Sequence, residues 1–214
     1  MDRQSIVRVA RKMFYERGIQ DVSVKQLAEA CSVAPSLISY YFGTKTAIVL
    51  DVITEYSREV ETVITRKLYQ LRVPYDPHIL GILDLLVKLD LYEQDEKARS
   101  FVLEYLDCGM NVIFSANYDS IYRQLDQHVI LDIDRSYDQI PCVATAAHGV
   151  VLSMMHSYFS GKIKCTYEQF LDFTLCSRCR LLNIPSEKIK PMIDQAMELR
   201  NRMHLTIKPE FVIE

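Results

Sequence analysis

Ser23-Val24-Lys25-Gln26-Leu27-Ala28-Glu29-Ala30-Cys31-Ser32-Val33-Ala34-Pro35-Ser36-Leu37-Ile38-Ser39-Tyr40-Tyr41-Phe42-Gly43-Thr44-Lys45 is the stretch whose reading decides the architecture. Ser23 and Gln26 have the spacing of a capping box, in which hydroxyl and amide satisfy the free N–H groups of a helix start. The helix they open carries Val24, Leu27, Ala28 and Cys31 on its apolar face. Pro35 suits the first turn of a second short helix, with Ile38, Tyr41 and Phe42 turned at least partly inward and Gly43 as its stop. The turn between the two is about four residues, Val33 adds to the core, and Ala28 is small enough for a close crossing. This is helix-turn-helix geometry, whose second helix can enter the major groove of DNA.

The outward residues suit that use. Pro35, Ser36 and Leu37 at the start of the second helix project outward with Tyr40. A tyrosine hydroxyl can bond phosphate, small residues let the backbone approach, and Leu37 can pack on a thymine methyl. Lys25 and Lys45 bracket the pair with positive charge; taken singly they would be ordinary solvated lysines.

Working outward, helical periodicity dominates the chain. A first helix is predicted from about Arg3 to Arg17, with Ile6, Ala10, Met13 and Phe14 on one face and Gly18 as its stop. Thr44 caps a long helix reaching about Leu71, broken by Pro74 and Pro77. Further helices are predicted at about 78–91, 96–107, 110–128, 139–160, 166–183 and 187–204. The ending Lys208-Pro209-Glu210-Phe211 reads as an irregular tail.

Quoted in order, Phe14-x3-Gly18, Ser23-Val24-x2-Leu27-Ala28 and Val33-Ala34-Pro35-Ser36-Leu37-Ile38-Ser39-Tyr40-Tyr41-Phe42-Gly43-Thr44-Lys45 resemble the N-terminal domain of tetracycline-repressor (TetR) type regulators over about residues 3–52. The run Tyr40-Tyr41-Phe42-x-x-Lys45, leading into a long helix, is its most specific part. The resemblance implies an all-α protein: a three-helix DNA-binding head, residues 1–46, and a helical ligand-binding and dimerisation body, residues 47–214. It implies DNA contacts at Lys25, Pro35, Ser36, Leu37, Tyr40, Tyr41 and Lys45. It also implies a homodimer on a double-stranded, palindromic operator, repressing until a small-molecule effector releases it. Three positions depart from the family pattern. Ser32 stands where glycine is common, and a left-handed conformation there costs about 1–2 kcal/mol. Ala34 is a weak cap. Ser39 replaces a common tyrosine, which removes one phosphate contact.

Composition agrees with such a division. The net charge is −3. Residues 1–50 hold seven Lys/Arg against four Asp/Glu, for +3, and the remainder holds eighteen against twenty-four, for −6. A basic head on an acidic body fits a head that alone meets a polyanion. With 49% hydrophobic and 25% charged residues, a disordered chain is excluded. No apolar signal segment follows the N-terminus, so a cytoplasmic location with reduced cysteines is expected.

From Gln139 to Gly161 there is no Asp, Glu, Lys or Arg. Pro141, His148 and His156 are poor company for lipid, so this reads as a helix buried on nearly all sides, in a core or an oligomer interface, and not as a membrane span. With the helix near 166–183 it is the candidate dimer surface. Asn117 falls on an apolar face, and its partner is a ligand, water or backbone. Tyr105, Tyr118 and Tyr122 lie near it in sequence and His148 on the next helix. Together these five are the candidate ligand contacts, for a largely apolar, neutral or weakly polar effector. His148 reads equally as a hydrogen-bonded core histidine. Cys176-x-x-Cys179 within a helix reads as structural thiols. No phosphate loop, nucleophile elbow, metal-ligand set or cofactor motif stands out, so no enzymatic activity, cofactor or metal is expected. Two other readings remain open: a dimeric DNA-binding regulator without an effector, and an all-helical enzyme or scaffold with an incidental helix pair.

Overall fold

The computed structural model describes residues 1–74, 76–108 and 139–214. Among the described residues there are nine helices: α1 (Arg3–Arg17), α2 (Val24–Ala30), α3 (Pro35–Phe42), α4 (Lys45–Gln70), α5 (Pro77–Gln94), α6 (Glu96–Asp107), α7 (Gln139–Phe159), α8 (Tyr167–Leu181) and α9 (Ser186–Met203). Two short strands follow, β1 (Ile207–Lys208) and β2 (Val212–Ile213). The fold is all-α, and the chain forms two compact units.

Helix ends fall where side chains can satisfy free backbone groups. Asp2 accepts the Ser5 N–H at 2.7 Å to start α1. Ser23 and Gln26 form the full capping box of α2, and Thr166 with Gln169 that of α8. Asp95 accepts from the backbone of Lys97 and Ala98 at the head of α6.

The first unit comprises residues 1–63, 88–108 and 205–214. α4 runs without a break from the head, burying Ile48, Val49, Val52, Ile53, Tyr56 and Val60 at helical spacing. The end of the chain is not an irregular tail. β1 and β2 pair antiparallel, Ile207 opposite Ile213 and Lys208 opposite Val212. Thr206 and Glu214 exchange both backbone bonds, at 2.7 and 3.0 Å. Phe211, 1% exposed, is driven into a cluster of rings. It stacks on Tyr56 at 5.2 Å and meets Tyr15 edge-on at 5.3 Å and Phe101 at 4.9 Å between centroids. Arg11, almost wholly buried, ties the hairpin to α1 and α4: its Nε donates to the Glu210 carbonyl and its Nη1 to Glu59 Oε2, both at 2.7 Å.

The second unit comprises residues 64–87 and 139–204 of those described. α7 and α8 pack along their lengths, with α9 against α8. Tyr158 stacks on Phe170 at 4.3 Å where α7 meets α8. α7 is not buried on nearly all sides within one chain. Ala144, Ala147, Val151, Leu152 and Met155 are buried. Cys142, Thr145, Ala146, Gly149 and Ser153 lie exposed along another stripe. No described helix is long and apolar enough to cross a membrane.

Candidate DNA-binding surface

α2 and α3 form the helix pair expected from the sequence. Leu27 and Ala28 of α2 and Ile38 and Phe42 of α3 are buried. Ser32 in the turn has φ 53°, the left-handed conformation that its position demands of a non-glycine residue. The Val33 N–H closes the turn on the Ala28 carbonyl at 3.0 Å. Ala34 offers no capping oxygen to α3, which starts on Pro35. The first-turn N–H groups of α3 are therefore not satisfied by a cap side chain, the condition that favours an approaching anion.

The inward faces of these helices leave one outward surface. Pro35, Ser36, Ser39 and Tyr40 are exposed, and Leu37 and Tyr41 are half-buried at its edge. Tyr40 is 82% exposed, with its ring edge-on to Tyr41 at 5.5 Å. An aromatic residue left so open on a short, otherwise well-packed helix is available to a partner. Lys25 projects from α2, its side chain 80% exposed, with Glu29 at 4.0 Å.

Lys45 is placed differently from a solvated lysine. Its Nζ donates to the Ile19 and Val22 carbonyls at 2.9 and 3.1 Å, holding the turn between α1 and α2. The same turn is held from α6. The Gln20 N–H donates to Glu104 Oε2 at 2.9 Å. Gly18 has φ +84°, and a Cβ there would lie 2.4 Å from Glu104 Oε1, so both backbone and carboxylate require glycine. Arg3 fixes the far end of α3. Its Nη1 donates to the Tyr41 carbonyl at 2.8 Å, its Nε to Asp51 at 2.7 Å, and its guanidinium lies 4.7 Å from the Phe42 ring centre. None of these three positioning residues was legible as such. Arg3 and Glu104 work across 38 and 84 residues of sequence; for Lys45 the proximity to Gly43 was a clue, but to a helix start and not to the turn it holds.

Elsewhere in the first unit, Tyr15 donates to Asp95 Oδ2 at 2.8 Å. Burial, reinforced by that carboxylate, pushes its hydroxyl up to about 12. Tyr105 is wholly buried in the first unit, where burial and the neighbouring Tyr56 raise its pKa. His148 lies half-buried on α7 in the second unit. Asn117, Tyr118 and Tyr122, the other candidate ligand contacts, lie outside the described residues, as does the helix predicted at 110–128. Cys179 is buried and Cys176 half-buried on α8, with burial raising both thiols. Among the described residues no group of His, Cys, Asp or Glu is arranged to hold a metal.

The profile of the N-terminal domain of bacterial regulatory proteins of the tetR family matches residues 6–52. No curated protein matches the sequence. Solved structures share the fold at low identity. RolR in complex with its ligand resorcinol is 13% identical, with a TM-score of 0.64 over 90% of this chain and 93% of that one. RolR without ligand is 14% identical, with a TM-score of 0.55 over 98% and 100% of the two chains. A TetR transcriptional regulator from Rhodococcus sp. RHA1 is 14% identical, with a TM-score of 0.51 over 83% and 92%. With its helix pair packed among α1, α4 and α6 and its outward face open, residues 6–52 match the N-terminal domain of the tetR family of bacterial regulatory proteins, and the chain shares the fold of solved TetR-family regulators.

Proposed function

We propose that the protein is a cytoplasmic repressor that binds a palindromic operator as a homodimer and leaves it when a small molecule binds the body. The observation that carries the reading is the exposed face of α3, with Tyr40 open to solvent on a helix fixed at both ends. Pro35, Ser36 and Leu37 approach the base edges, Tyr40 and Tyr41 reach phosphates, and Lys25 lies beside them from α2. Lys45 keeps one ammonium donor for phosphate, since two of its three serve the Ile19 and Val22 carbonyls.

The dimer is built on α7 and α8. The uncharged exposed stripe of α7 allows close helix approach, and Phe173 and Leu181 stand exposed on α8, at 59% and 38%. A two-fold axis through these faces would bury them against their own copies. The effector is a small molecule held in the body; RolR, which shares the fold, is solved in complex with its ligand resorcinol. His148, with Asn117, Tyr118 and Tyr122, makes up the proposed contact set.

The test is affinity for a duplex carrying the inverted repeat upstream of the gene, against a random duplex, across a salt series. Preference for the repeat by at least a thousandfold, with steep salt dependence, is expected. Equal affinity for both duplexes would sink the reading.

A further inference from the structure

Gly81 stands inside α5, where glycine costs about 0.5–1 kcal/mol relative to alanine. Its neighbour explains it. Arg178 of α8 reaches across so that Nη2 lies 3.3 Å from where a Cβ on Gly81 would stand. Arg178 is half-buried, yet its guanidinium makes no hydrogen bond or ion pair among the described residues. Thr174 stands one turn earlier on the same face of α8, the side toward which the Arg178 stem points back. It is 0% exposed, and its Oγ1 has no hydrogen-bond partner among the described residues. His78, one turn before Gly81 on α5, is close enough to Arg178 to feel its charge.

A half-buried cation without an anion and a buried hydroxyl without a partner are each costly, and they occur side by side. We propose that Arg178, Thr174 and His78 form a subsite between α5 and α8 for the carboxylate of an apolar monocarboxylic acid. Guanidinium and carboxylate match as a two-bond fork, and the Thr174 hydroxyl adds a donor. Burial first, then the charge of Arg178, lowers the His78 pKa, against the opposing pull of Asp76. The imidazole is therefore neutral at pH 7, and Arg178 is the cation of the subsite, matched to a single carboxylate. Asp76 forms no ion pair with Arg178; its Oδ1 accepts the N–H groups of His78 and Ile79 at 2.8 and 3.2 Å, capping the start of α5. Ile82, Leu171 and Leu175, buried on the same two helices, make the surroundings of the carboxylate apolar. This charge was not legible beforehand, since its parts come from helices far apart in the chain.

Such a subsite deepens the reading of the protein as an effector-responsive regulator, and rests on it only for what binding does at DNA. The probes are octanoate and benzoate, with octanol and benzyl alcohol as neutral counterparts, titrated calorimetrically into the full chain at constant ionic strength. The acids are expected to bind at least tenfold more tightly than the alcohols. Arg178→Gln should abolish that preference while leaving the folded state intact, because the side chain makes no ion pair within it. Thr174→Val should weaken the acids several-fold. Gly81→Leu, whose side chain would push the Arg178 guanidinium from its place, should weaken them as well. Acids binding no better than alcohols, or Arg178→Gln binding them as tightly as the wild type, would overturn the proposal. Operator affinity measured without any probe reports separately on the regulator reading, so the two can fail independently.

Discussion

The two lysines of the DNA-binding surface share a charge but not a surrounding. Lys25 has a carboxylate at 4.0 Å and is otherwise in solvent, whereas Lys45 is spent largely on two carbonyls. Lys25→Ala should cost about 1–3 kcal/mol on the operator and relax preference at one base pair per half-site, with little change in melting temperature. Lys45→Ala should weaken binding to every duplex. In a dimer it removes two phosphate contacts, flattening the slope of log K against log salt by roughly 1.8 at about 0.9 per contact. It should also lower the melting temperature, because the Ile19 and Val22 carbonyls lose their donor. A salt series and a melting curve for each variant check both, and an unchanged slope for Lys45→Ala would place that residue off the phosphates. Tyr15 gives a pH signature at the same scale. Its folded pKa, about 12, lies above the ordinary 10.0, so its neutral form is favoured in the folded state. Its contribution is full below pH 10 and is lost as the pH rises from there towards 12. Denaturation midpoints across that range should fall for the wild type and fall less steeply for Tyr15→Phe.

Among the elements, the C-terminal hairpin has the largest consequence for its size. Both Glu210 and Phe211 have φ 62°, a left-handed conformation costing each about 1–2 kcal/mol. Burial of the Phe211 ring among Tyr15, Tyr56 and Phe101 offsets that cost. The two residues should therefore respond oppositely. Phe211→Ala empties the cluster and should destabilise by about 3–5 kcal/mol. Glu210→Gly relieves the backbone and keeps the carbonyl that Arg11 uses, so it should be neutral or stabilising by up to about 1 kcal/mol. Chemical denaturation of both variants decides, and a harmless Phe211→Ala would mean that the hairpin is not part of the folded core. The helices were legible because their signals are local: Ser23 with Gln26, Pro35, Gly43 and the apolar spacing of α4 each act within a turn or two. The hairpin was not, because a pair of two-residue strands carries no periodicity and its decisive residue acts through rings distant in sequence. The α3 surface was legible from its own outward residues, whereas Arg3, Glu104 and the turn-holding role of Lys45 required the chain to be folded first.

At the scale of the whole molecule, the uncharged α7 allows the dimer to be tested without damaging the protomer. Ala147 is a poor place for a charge, since it is 0% exposed and the fold itself would suffer. Gly149 is a good one. It is exposed in mid-helix, and a Cβ there would meet nothing within 4 Å. Almost any side chain is a better helix former than glycine, by up to about 1 kcal/mol. Gly149→Glu should therefore leave the isolated protomer as stable as before, or slightly more so. In a dimer joined through this stripe, the substitution sets two carboxylates into a close, uncharged contact, where neither can be solvated or paired. Sedimentation of Gly149→Glu should show a monomer at micromolar concentrations at which the wild type is dimeric. Affinity for the full palindrome should fall by orders of magnitude, while a single half-site is bound as weakly as by the wild type, because each head is untouched. Ala147→Glu, by contrast, should lower the melting temperature of the protomer itself. A Gly149→Glu protein that stays dimeric would move the interface away from the exposed stripe of α7.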